Sequence, residues 1–504
     1  MHRPPSAETE VAAELADVRP ELVSRYSAEL PGARAAVLTR LWRALAYEPL
    51  PWVDRRERGR EGLTLRLADG RRLHGPHADP YATAAYVTAV RLDGTSYDDP
   101  ARLLTGLSVP HGASLATELG HSVASLALSR AGQEGHSQEA PERDWEWEQR
   151  VVDGHPFHPN CRSRPGFSVP EQLAYGPEHR PVVTLARVPV RARECLVTGE
   201  WPQGMRDGDR LLIPVHPWQA EHVLKRPRDP YDEGIAAHPL MSLRTLAVPG
   251  GPHVKTALSA RLTSSVRDIS VYSVGLSATL SDFAEALAAR MDGLLHVTRT
   301  LGAATADSPD LAAVVRESPQ VYAGPGERVV PVAALVTTGL PRSPKWQAEF
   351  TRLALTVGLR LLELGVALEA HGQNLLVVVG PDGSPVRLVY RDLADIRVSP
   401  ARLARHGIPV PELAGRIVTD DVPALRRKLL GSLVAGALAG TVGSGPALRG
   451  ALEAVVRDLP GTVDLAALGD RALPTKALTL MRLSPGTPGD QWAELPNPLV
   501  GEVF

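Results

Sequence analysis

The stretch EAHGQNLLVVVGPDGSPVRLVYRDLAD, Glu369–Asp395, decides how the C-terminal part of this chain folds. Two β-branched runs, Leu375–Val379 and Val386–Tyr390, flank the turn-forming sequence GPDGSP, and this pattern predicts a β-hairpin. Pairing the two strands about the Asp-Gly centre of the turn sets Asn374 against Asp392 at the open end of the hairpin.

The polar residues at this open end predict a metal site. Amide and carboxylate oxygens are ligands that Mg²⁺ takes together with nucleotide phosphates. The candidate metal ligands are Asn374, Asp392, Glu369 and Gln373, with His371 beside them. Protein kinases hold their metal with a comparable Asn and Asp, although this chain has no HRD, DFG or glycine-rich kinase motif. The alternative is a polar loop that caps a helix, but five polar groups at one hairpin end favour the metal–nucleotide site.

A second group of cations and hydroxyls lies within His238–Ser270. Arginine binds phosphate oxygens bidentately, lysine supplies a point charge, and hydroxyls donate single hydrogen bonds, so this set suits a triphosphate. No GxxxxGK[ST] motif occurs, which argues against a P-loop NTPase. A solvated strand edge with turn hydroxyls is an equally good explanation of this segment taken alone. The candidate phosphate-binding residues are Ser242, Arg244, Thr245, Lys255, Thr263, Ser264 and Arg267.

A third motif, GHPFHP at Gly154–Pro159, is followed by Arg162 and Arg164. Its prolines exclude a regular helix and predict a rigid loop. Two imidazoles and two guanidinium groups presented together suit a polycarboxylate, so the substrate-binding candidates are His155, His158, Arg162 and Arg164. A zinc site is less well supported, because the chain has neither HExxH nor CxxC.

Composition narrows the class of protein. The chain has 504 residues and 55 basic against 57 acidic side chains, so we expect several domains and small-molecule partners, with no nucleic acid. Only two cysteines and no signal-peptide pattern favour a reducing cytoplasm. The apolar run Leu429–Val442 is shorter than the ~20 residues of a membrane span, so we expect a buried helix and no membrane partner.

The pattern of apolar residues predicts an α+β protein in three parts. Residues 1–145 read as helical, from the periodicity of Ala35–Leu45 and Ala113–Leu128, and Gly132–Gln149 reads as a linker or exposed loop. Residues 341–504 begin with a long helix from Lys345 and lead into the hairpin. Residues 146–340 mix helix with strands predicted at Val182–Val190, Arg210–Val215, Leu243–Val248 and Ala257–Leu262.

Taken together, these motifs make the chain resemble the IucA/IucC family, the NRPS-independent siderophore (NIS) synthetases of the aerobactin-synthetase type. Several separated motifs in one order are far more specific than any one of them. Those that carry the resemblance are GHPFHP, IPVHPWQ (Ile213–Gln219), SLRT (Ser242–Thr245), Lys255 to Arg267, EAHGQN (Glu369–Asn374), YRD (Tyr390–Asp392), MRLS (Met481–Ser484) and LPNPL (Leu495–Leu499).

The resemblance implies a hand-like architecture, with a thumb at 1–145, fingers at 146–340 and a palm at 341–504, and a homodimer. It also implies ATP-dependent, AMP-forming condensation of citrate or a related carboxylic acid with an amine or alcohol, using Mg²⁺. By motif matching, the cation and hydroxyl set would hold ATP together with His371, while Lys255, Arg267 and His371 would be catalytic. Glu369 would lie at the reacting end as well as near the metal. Two rival functions are a kinase-like phosphotransferase that releases ADP and a non-catalytic protein that binds a polycarboxylate or siderophore.

Overall fold

The structure of the chain, a computed structural model, describes residues 6–133, 140–226, 233–262, 265–413 and 415–500. Helices and one antiparallel sheet, of order β1-β2-β3-β4-β5, make up the N-terminal part. The helices are α1 Ala7–Val18, α2 Val23–Tyr47, α3 Pro100–Leu107 and α4 Gly112–Ala131, and the strands are β1 Val53–Gly59, β2 Gly62–Leu67, β3 Arg72–Gly75, β4 Val90–Leu92 and β5 Thr95–Tyr97.

The expected helical character of residues 1–145 holds for α1 to α4 but misses this sheet. Strand β1 reads VDRRERG, and only its first residue, Val53, is buried, so it shows no alternation of apolar and polar residues. Backbone pairing with β2 holds it instead. Gly62 allows β3 to approach, because its φ is +149° and a Cβ there would lie 2.1 Å from the Gly75 carbonyl oxygen.

The middle part is built on a nine-stranded sheet of order β7-β16-β17-β12-β11-β10-β6-β9-β8. Each of the four strands predicted here overlaps an observed strand. The elements are α5 Asp144–Gln149, α6 Val169–Tyr175, α7 Pro217–His222, α8 Val271–Ala288, β6 Val183–Arg191, β7 Leu196–Gly199, β8 Arg206–Asp207, β9 Arg210–Val215, β10 Ile235–Pro239, β11 Thr245–Ala247, β12 His253–Thr256, β13 Leu258–Leu262, β14 Ser265–Arg267, β15 Leu295–Val297, β16 Thr300–Thr305 and β17 Ala312–Arg316.

The predicted linker Gly132–Gln149 proves to be structured at its end. Its last residues form α5, in which Trp147, Glu148 and Gln149 are buried. The many charged residues of this segment predicted an exposed loop. Its end is buried instead, because Glu148 pairs with a buried arginine from a distant part of the chain, Arg391.

The C-terminal part contains a four-stranded sheet of order β15-β21-β20-β18, so strands from before residue 341 complete it. A π-helical turn, Leu433–Leu438, joins α11 to α12. The elements are β18 Arg328–Pro331, α9 Pro344–Leu364, β19 Val366–Ala367, β20 Leu375–Val379, β21 Pro385–Tyr390, β22 Arg397–Val398, α10 Pro400–Arg405, α11 Val422–Ser432, α12 Ala439–Val442, α13 Gly445–Glu453, α14 Val463–Asp470, β23 Leu473–Lys476, α15 Leu478–Leu483 and β24 Trp492–Leu495.

The hairpin forms in the predicted register. Leu375 pairs with Tyr390 and Val377 with Leu388, and the Arg391 amide donates a 3.0 Å hydrogen bond to the Asn374 carbonyl. Helix α9 packs across this sheet and contributes the fully buried Phe350 to the largest apolar cluster. Burying one such side chain stabilises the fold by about 1.5–3 kcal/mol, so the core beneath the hairpin holds its open end in place. The fold is α+β, as predicted.

Leu429, Leu433, Val434 and Leu438 of the run Leu429–Val442 are buried in the same cluster, as expected of an interior helix. Across the described segments, no single helix has the length and apolar character to cross a membrane. One bent pair, Val422–Val442 with Gly445–Asp458 at 112°, meets both requirements jointly, by length and composition alone.

Candidate active site

Lys255 and Asp392 meet where the nine-stranded sheet faces the open end of the hairpin. The Lys255 ammonium, on β12, donates hydrogen bonds of 2.9 and 2.7 Å to the two Asp392 carboxylate oxygens. Asp392 is the second residue after the end of β21. Its φ is +73°, in the left-handed region that few residues other than Gly, Asn and Asp enter. The structure therefore brings together one predicted phosphate-binding residue and one predicted metal ligand.

Positive charge exceeds negative charge around this contact. Arg316 lies 4.0 Å from Asp392, and the Asp392 charge also acts on Arg244 and Arg267. Loss of hydration, reinforced by the neighbouring Arg244 and Arg316, lowers the pKa of Lys255 to about 7 in spite of Asp392. The same cations hold the pKa of Asp392 far below its usual range, so it is a carboxylate at neutral pH.

Arg244 is anchored by backbone carbonyls rather than by an acid. Its Nη1 donates to the carbonyl oxygens of Arg267 and Asp268, at 2.6 and 2.7 Å. Burial lowers the pKa of Arg244 to about 10. These two bonds fix the start of β11 against the end of β14, so Arg244 and Arg267, both predicted to bind phosphate, lie side by side.

Arg244, Lys255 and Arg316 line a cleft whose empty volume, with the space open to solvent included, is about 710 Å³. The carboxylates of Asp268 and Asp392 line it as well. Its apolar and hydroxyl-bearing residues are Ile269, Leu276, Leu280, Val314, Leu393 and Ile417, with Tyr272, Ser273, Ser277, Thr298 and Thr300. A ligand that combines anionic groups with a less polar part matches this lining.

The other predicted phosphate-binding residues are placed differently. Ser242 accepts a 3.1 Å hydrogen bond from the Thr245 amide and so shapes the turn before β11. Thr245 pairs with Lys255 across β11 and β12, so the two side chains share one face of the sheet. Thr263 and Ser264 lie outside the described residues.

Glu369 has partners that its motif did not reveal. Its carboxylate accepts hydrogen bonds from Lys428 at 2.9 Å and Lys476 at 3.0 Å, and these cations help to lower its pKa to about 2. The first of these lysines also pairs with Asp395. Both ammonium groups bind Oε1, and Oε2 lies 3.9 Å from the His371 Nε2, so the assignment of Glu369 as a metal ligand and substrate contact stays a prediction.

His371, Gln373 and Asn374 stay at the mouth of the hairpin. The Nδ1 of His371 accepts a 3.3 Å hydrogen bond from the Gln373 amide, and its Nε2 lies 3.9 Å from Glu369. Loss of hydration lowers the pKa of His371, with Glu369 opposing. Asn374 donates through its Nδ2 to the Glu369 carbonyl at 3.4 Å, and its Oδ1 has no hydrogen-bond partner among the residues described.

These contacts test whether the site fits a metal. No group of three or more His, Cys, Asp or Glu side chains within the described ranges is arranged to hold one. Mg²⁺ bound with nucleotide phosphates needs only one or two protein carboxylates, since phosphates and water complete its shell. The Oδ1 of Asn374 and the anionic Asp392 supply oxygens of this kind, and each Asp392 oxygen keeps a lone pair beside its hydrogen bond from Lys255, so these two residues fit the ion.

The GHPFHP loop faces the same region. The side chain of His155 is exposed, yet the protein around it removes part of its hydration. This loss of hydration, followed by the charges of His158 and His371, lowers the pKa of His155. His158 is buried, its Nδ1 accepts from the Asn160 amide at 3.0 Å, and its Nε2 has no partner within the described segments. Burial, together with Arg267 and two further arginines, lowers the pKa of His158 to about 3.

Arg162 and Arg164 are buried and bound to a carboxylate of the protein itself. Arg164 forms a bidentate ion pair with the buried Glu178, at 2.7 and 3.0 Å. Arg162 reaches the same carboxylate at 3.5 Å and donates to the carbonyls of Val151 and Val152. Both guanidinium groups are used inside the protein, so we revise their assignment as substrate contacts and expect them to hold the loop instead.

Sequence reasoning missed four partners of this site, three of them buried and one, Lys476, half-buried. Arg316 lines the cleft, Arg391 ties the hairpin to α5, and Lys428 and Lys476 neutralise Glu369. The two lysines carried a usable signal, since the chain has only five lysines among 55 basic residues. Nothing in the local sequence distinguishes Arg316 from the other arginines.

The sequence profile of the IucA/IucC family matches residues 144–337, which include the GHPFHP loop, Arg244, Lys255 and Arg316. The middle part of the chain is therefore similar to the IucA/IucC family. A second profile, described as ferric iron reductase FhuF-like transporter, matches residues 344–486, which contain the hairpin. The two profiles therefore meet at the contact between Lys255 and Asp392.

The relatives of this chain include a ligase and a synthase. It is 26% identical over 309 residues to the citryl-spermidine/3,4-dihydroxybenzoyl-citryl-spermidine:spermidine ligase of Bacillus anthracis, which covers 49% of this chain and 50% of the relative. It is 22% identical over 349 residues to staphyloferrin A synthase of Staphylococcus aureus, covering 58% and 59%. The chain spans about half the length of the relatives it matches.

Two solved structures share the fold over nearly the whole chain. The petrobactin biosynthesis protein AsbB of Bacillus anthracis superposes with a TM-score of 0.76 at 19% identity, covering 95% of this chain and 97% of that one. ATP-bound aerobactin synthetase IucA from Klebsiella pneumoniae gives a TM-score of 0.72 at 20% identity, covering 93% and 99%. At these identities the likeness concerns the fold.

Proposed function

We propose that this protein is an ATP-dependent ligase of siderophore biosynthesis that activates citrate or a related carboxylic acid and joins it to an amine or alcohol. The observation that carries the proposal is the excess of cations around one carboxylate, with Lys255, Arg244, Arg316 and Arg267 gathered about Asp392 beside a cleft. A polyanionic ligand would balance this charge. That a relative of this fold is described as ATP-bound supports ATP as that ligand.

In the first half-reaction, a carboxylate oxygen of the acid attacks the α-phosphorus of ATP. The new O–P bond gives an acyl-adenylate as the bond to the β-phosphate breaks and pyrophosphate leaves. Negative charge gathers on the phosphoryl oxygens, so Lys255 and Arg267 would stabilise the transition state by fixed charges in a site of low water content. Lys255 must be protonated for this role.

In the second half-reaction, an amine nitrogen or alcohol oxygen attacks the activated carbonyl carbon. The C–O bond to AMP breaks, the nucleophile loses its proton, and an amide or ester is released. His371 lies at the mouth of the hairpin and has a lowered pKa, so it is neutral at pH 7 and can accept that proton. Mg²⁺, held by Asn374 and Asp392, would supply further positive charge to the phosphates.

The acid substrate would lie on the side of the cleft that faces the GHPFHP loop. His155 and His158 are near enough to His371 and Arg267, respectively, for their charges to interact. The unpartnered Nε2 of His158 offers one hydrogen-bonding position to a carboxyl or hydroxyl group. With Arg162 and Arg164 consumed by Glu178, Arg267 remains as the cation for the carboxylate end.

Measuring pyrophosphate release with ATP, Mg²⁺ and a panel of carboxylic acids tests the proposal, with hydroxylamine trapping the activated acyl group. We expect AMP and pyrophosphate with at least one polycarboxylate, and their loss in Lys255→Met. Production of ADP instead would indicate a phosphotransferase. Binding of citrate without any turnover of ATP, in the presence of amines and alcohols, would indicate a binding protein.

A further inference from the structure

Arg316 is a buried cation whose hydrogen bonds are unaccounted for. Its side chain is 9% exposed, yet its buried Nε has no hydrogen-bond partner among the described residues. Its one ionic neighbour is Asp392, at 4.0 Å, and that carboxylate already accepts two hydrogen bonds from Lys255. Buried guanidinium groups are nearly always paired, so this one calls for an explanation.

Strand register places Arg316 on the ligand side of the sheet. On β12 and β17, Lys255 pairs with Val314 and His253 with Arg316. Directly paired residues, and residues two apart on a strand, point to one face, so Arg316 shares the face of Lys255. That face is a wall of the cleft, which Lys255, Val314 and Arg316 all line.

The cleft holds a second buried group of the same kind. The Thr298 hydroxyl is unpartnered in the described part of the chain, its residue is 4% exposed, and it lines the cleft as Arg316 does. His253, on the same sheet face as Arg316, bonds Asp144 through its Nε2 at 2.8 Å and leaves its Nδ1 unpartnered among the described residues, but it does not line the cleft. Arg316 and Thr298 are therefore two unmet polar groups that line one cleft.

We propose that Arg316 is a further oxyanion-binding residue of this cleft and that it contacts a phosphate group of the nucleotide. The inference deepens the proposed function and rests on it for the identity of the ligand. Phosphate is favoured over the acid substrate because Arg316 lies beside Lys255 and Asp392, the residues assigned to the phosphates and their metal. The guanidinium group of Arg316 would bind two phosphate oxygens at once, whereas the ammonium group of Lys255 acts as a single point charge.

Arg316→Met tests this role with ligands alone, without turnover. Pyrophosphate and ATP should raise the melting temperature of the wild type, and the variant should lose most of the pyrophosphate shift. Its ATP affinity by calorimetry should fall about tenfold or more, as for the loss of a hydrogen-bonded charge. The ligand-free variant should melt at the same or a higher temperature, because an apolar side chain replaces an unsatisfied buried charge.

Two further variants complete the experiment. Arg299→Met removes a neighbouring arginine that is 52% exposed and paired with Glu317, and it should bind both ligands as the wild type does. Arg316→Lys keeps the charge without the fork and should bind ATP with intermediate affinity. Because it preserves the charge, it also serves if the methionine variant does not fold.

Two results would overturn the inference. They are wild-type ATP affinity in both Arg316 variants, and loss of a citrate-induced shift in place of the pyrophosphate shift. ATP binding that depends on Arg316 in a protein that forms no acyl-adenylate would instead refute the proposed function alone. A wild type that binds neither ATP nor pyrophosphate would refute both.

Discussion

The Arg391 guanidinium donates a 2.6 Å hydrogen bond to the Glu148 carboxylate, and both side chains are buried. The same guanidinium donates to the Gln373 carbonyl at 3.0 and 2.8 Å, while Glu148 accepts from the Met241 amide at 2.9 Å. One ion pair thus ties the hairpin end, the loop before it, α5 and the turn before β11. Because Arg391 directly precedes Asp392, this ion pair holds the candidate site in position.

Arg391→Met should lower the free energy of unfolding by about 3–5 kcal/mol, because Glu148 would stay buried without its partner. Denaturant unfolding followed by fluorescence measures this loss. Arg352→Met is the matched control, since its ion pair with Asp458 is exposed and worth about 1 kcal/mol or less. Equal effects of the two substitutions would contradict a supporting role for Arg391.

Asp392→Asn should keep the fold and lower kcat about 100-fold or more, because the amide cannot balance the surrounding cations or serve as an anionic metal ligand. Steady-state pyrophosphate release, titrated with Mg²⁺, is the measurement. Asp382→Asn, at the exposed tip of the same hairpin, controls for effects on the hairpin itself. Normal turnover in Asp392→Asn would remove Asp392 from the active site.

ATP binding should be accompanied by proton uptake at Lys255. Its pKa is about 7 in the ligand-free protein, so at pH 8 most of the molecules carry a neutral amine. Bound phosphates favour the ammonium form and raise that pKa, so protons are taken up on binding. Calorimetry in two buffers of different ionisation enthalpy detects this uptake, and Lys255→Met should abolish it; an unchanged uptake in that variant would assign the proton elsewhere.

The same group has a defined effect on stability. Since the pKa of Lys255 falls from 10.5 to about 7 on folding, the unfolded chain binds more protons between these two values. The contribution of Lys255 to the free energy of unfolding therefore rises with pH from about 7 to about 10. Lys255→Met should flatten that part of the pH–stability curve, and an identical slope in wild type and variant would argue against the lowered pKa.

Glu178→Gln should destabilise the protein by about 3–5 kcal/mol, because Arg162 and Arg164 would both be left buried without an anion. Glu194→Gln is the comparison, since its ion pairs with Arg191 and Arg193 are exposed and their loss should cost about 1 kcal/mol or less. Chemical denaturation separates the two. A small effect of Glu178→Gln would reopen the possibility that the two arginines serve a ligand.

Local pattern accounts for the part of the site that lies on one hairpin. The β-branched runs and the Asp-Gly turn predicted the pairing of Leu375 with Tyr390, and with it the position of Asn374 and Asp392 at one end. Short-range turn chemistry sets this register, so no distant residue is needed to derive it. Helix α9 and the strands of the middle part could also be predicted locally, from the period of their apolar residues.

Pattern failed where the role of a residue depends on a contact outside its own motif. Arg162 and Arg164 were predicted to bind a ligand but pair with Glu178, and the motif of Glu369 did not predict its two lysine partners. The charged strand β1 was missed because pairing with β2, rather than burial of its own side chains, makes it a strand. In each case the missing information was a contact, not a residue type.

The amino-acid sequence by itself determined the class of fold, the hairpin with its register, and the resemblance that named the chemistry. Tertiary structure decided which charged groups are free to act. An ion pair such as Arg391–Glu148 spans hundreds of residues, and whether a guanidinium binds a ligand or an internal carboxylate depends on distances that no local pattern contains. The energy of a buried charge depends on its neighbours, so the roles of Arg162, Glu369 and Arg316 could be read only after the chain had folded.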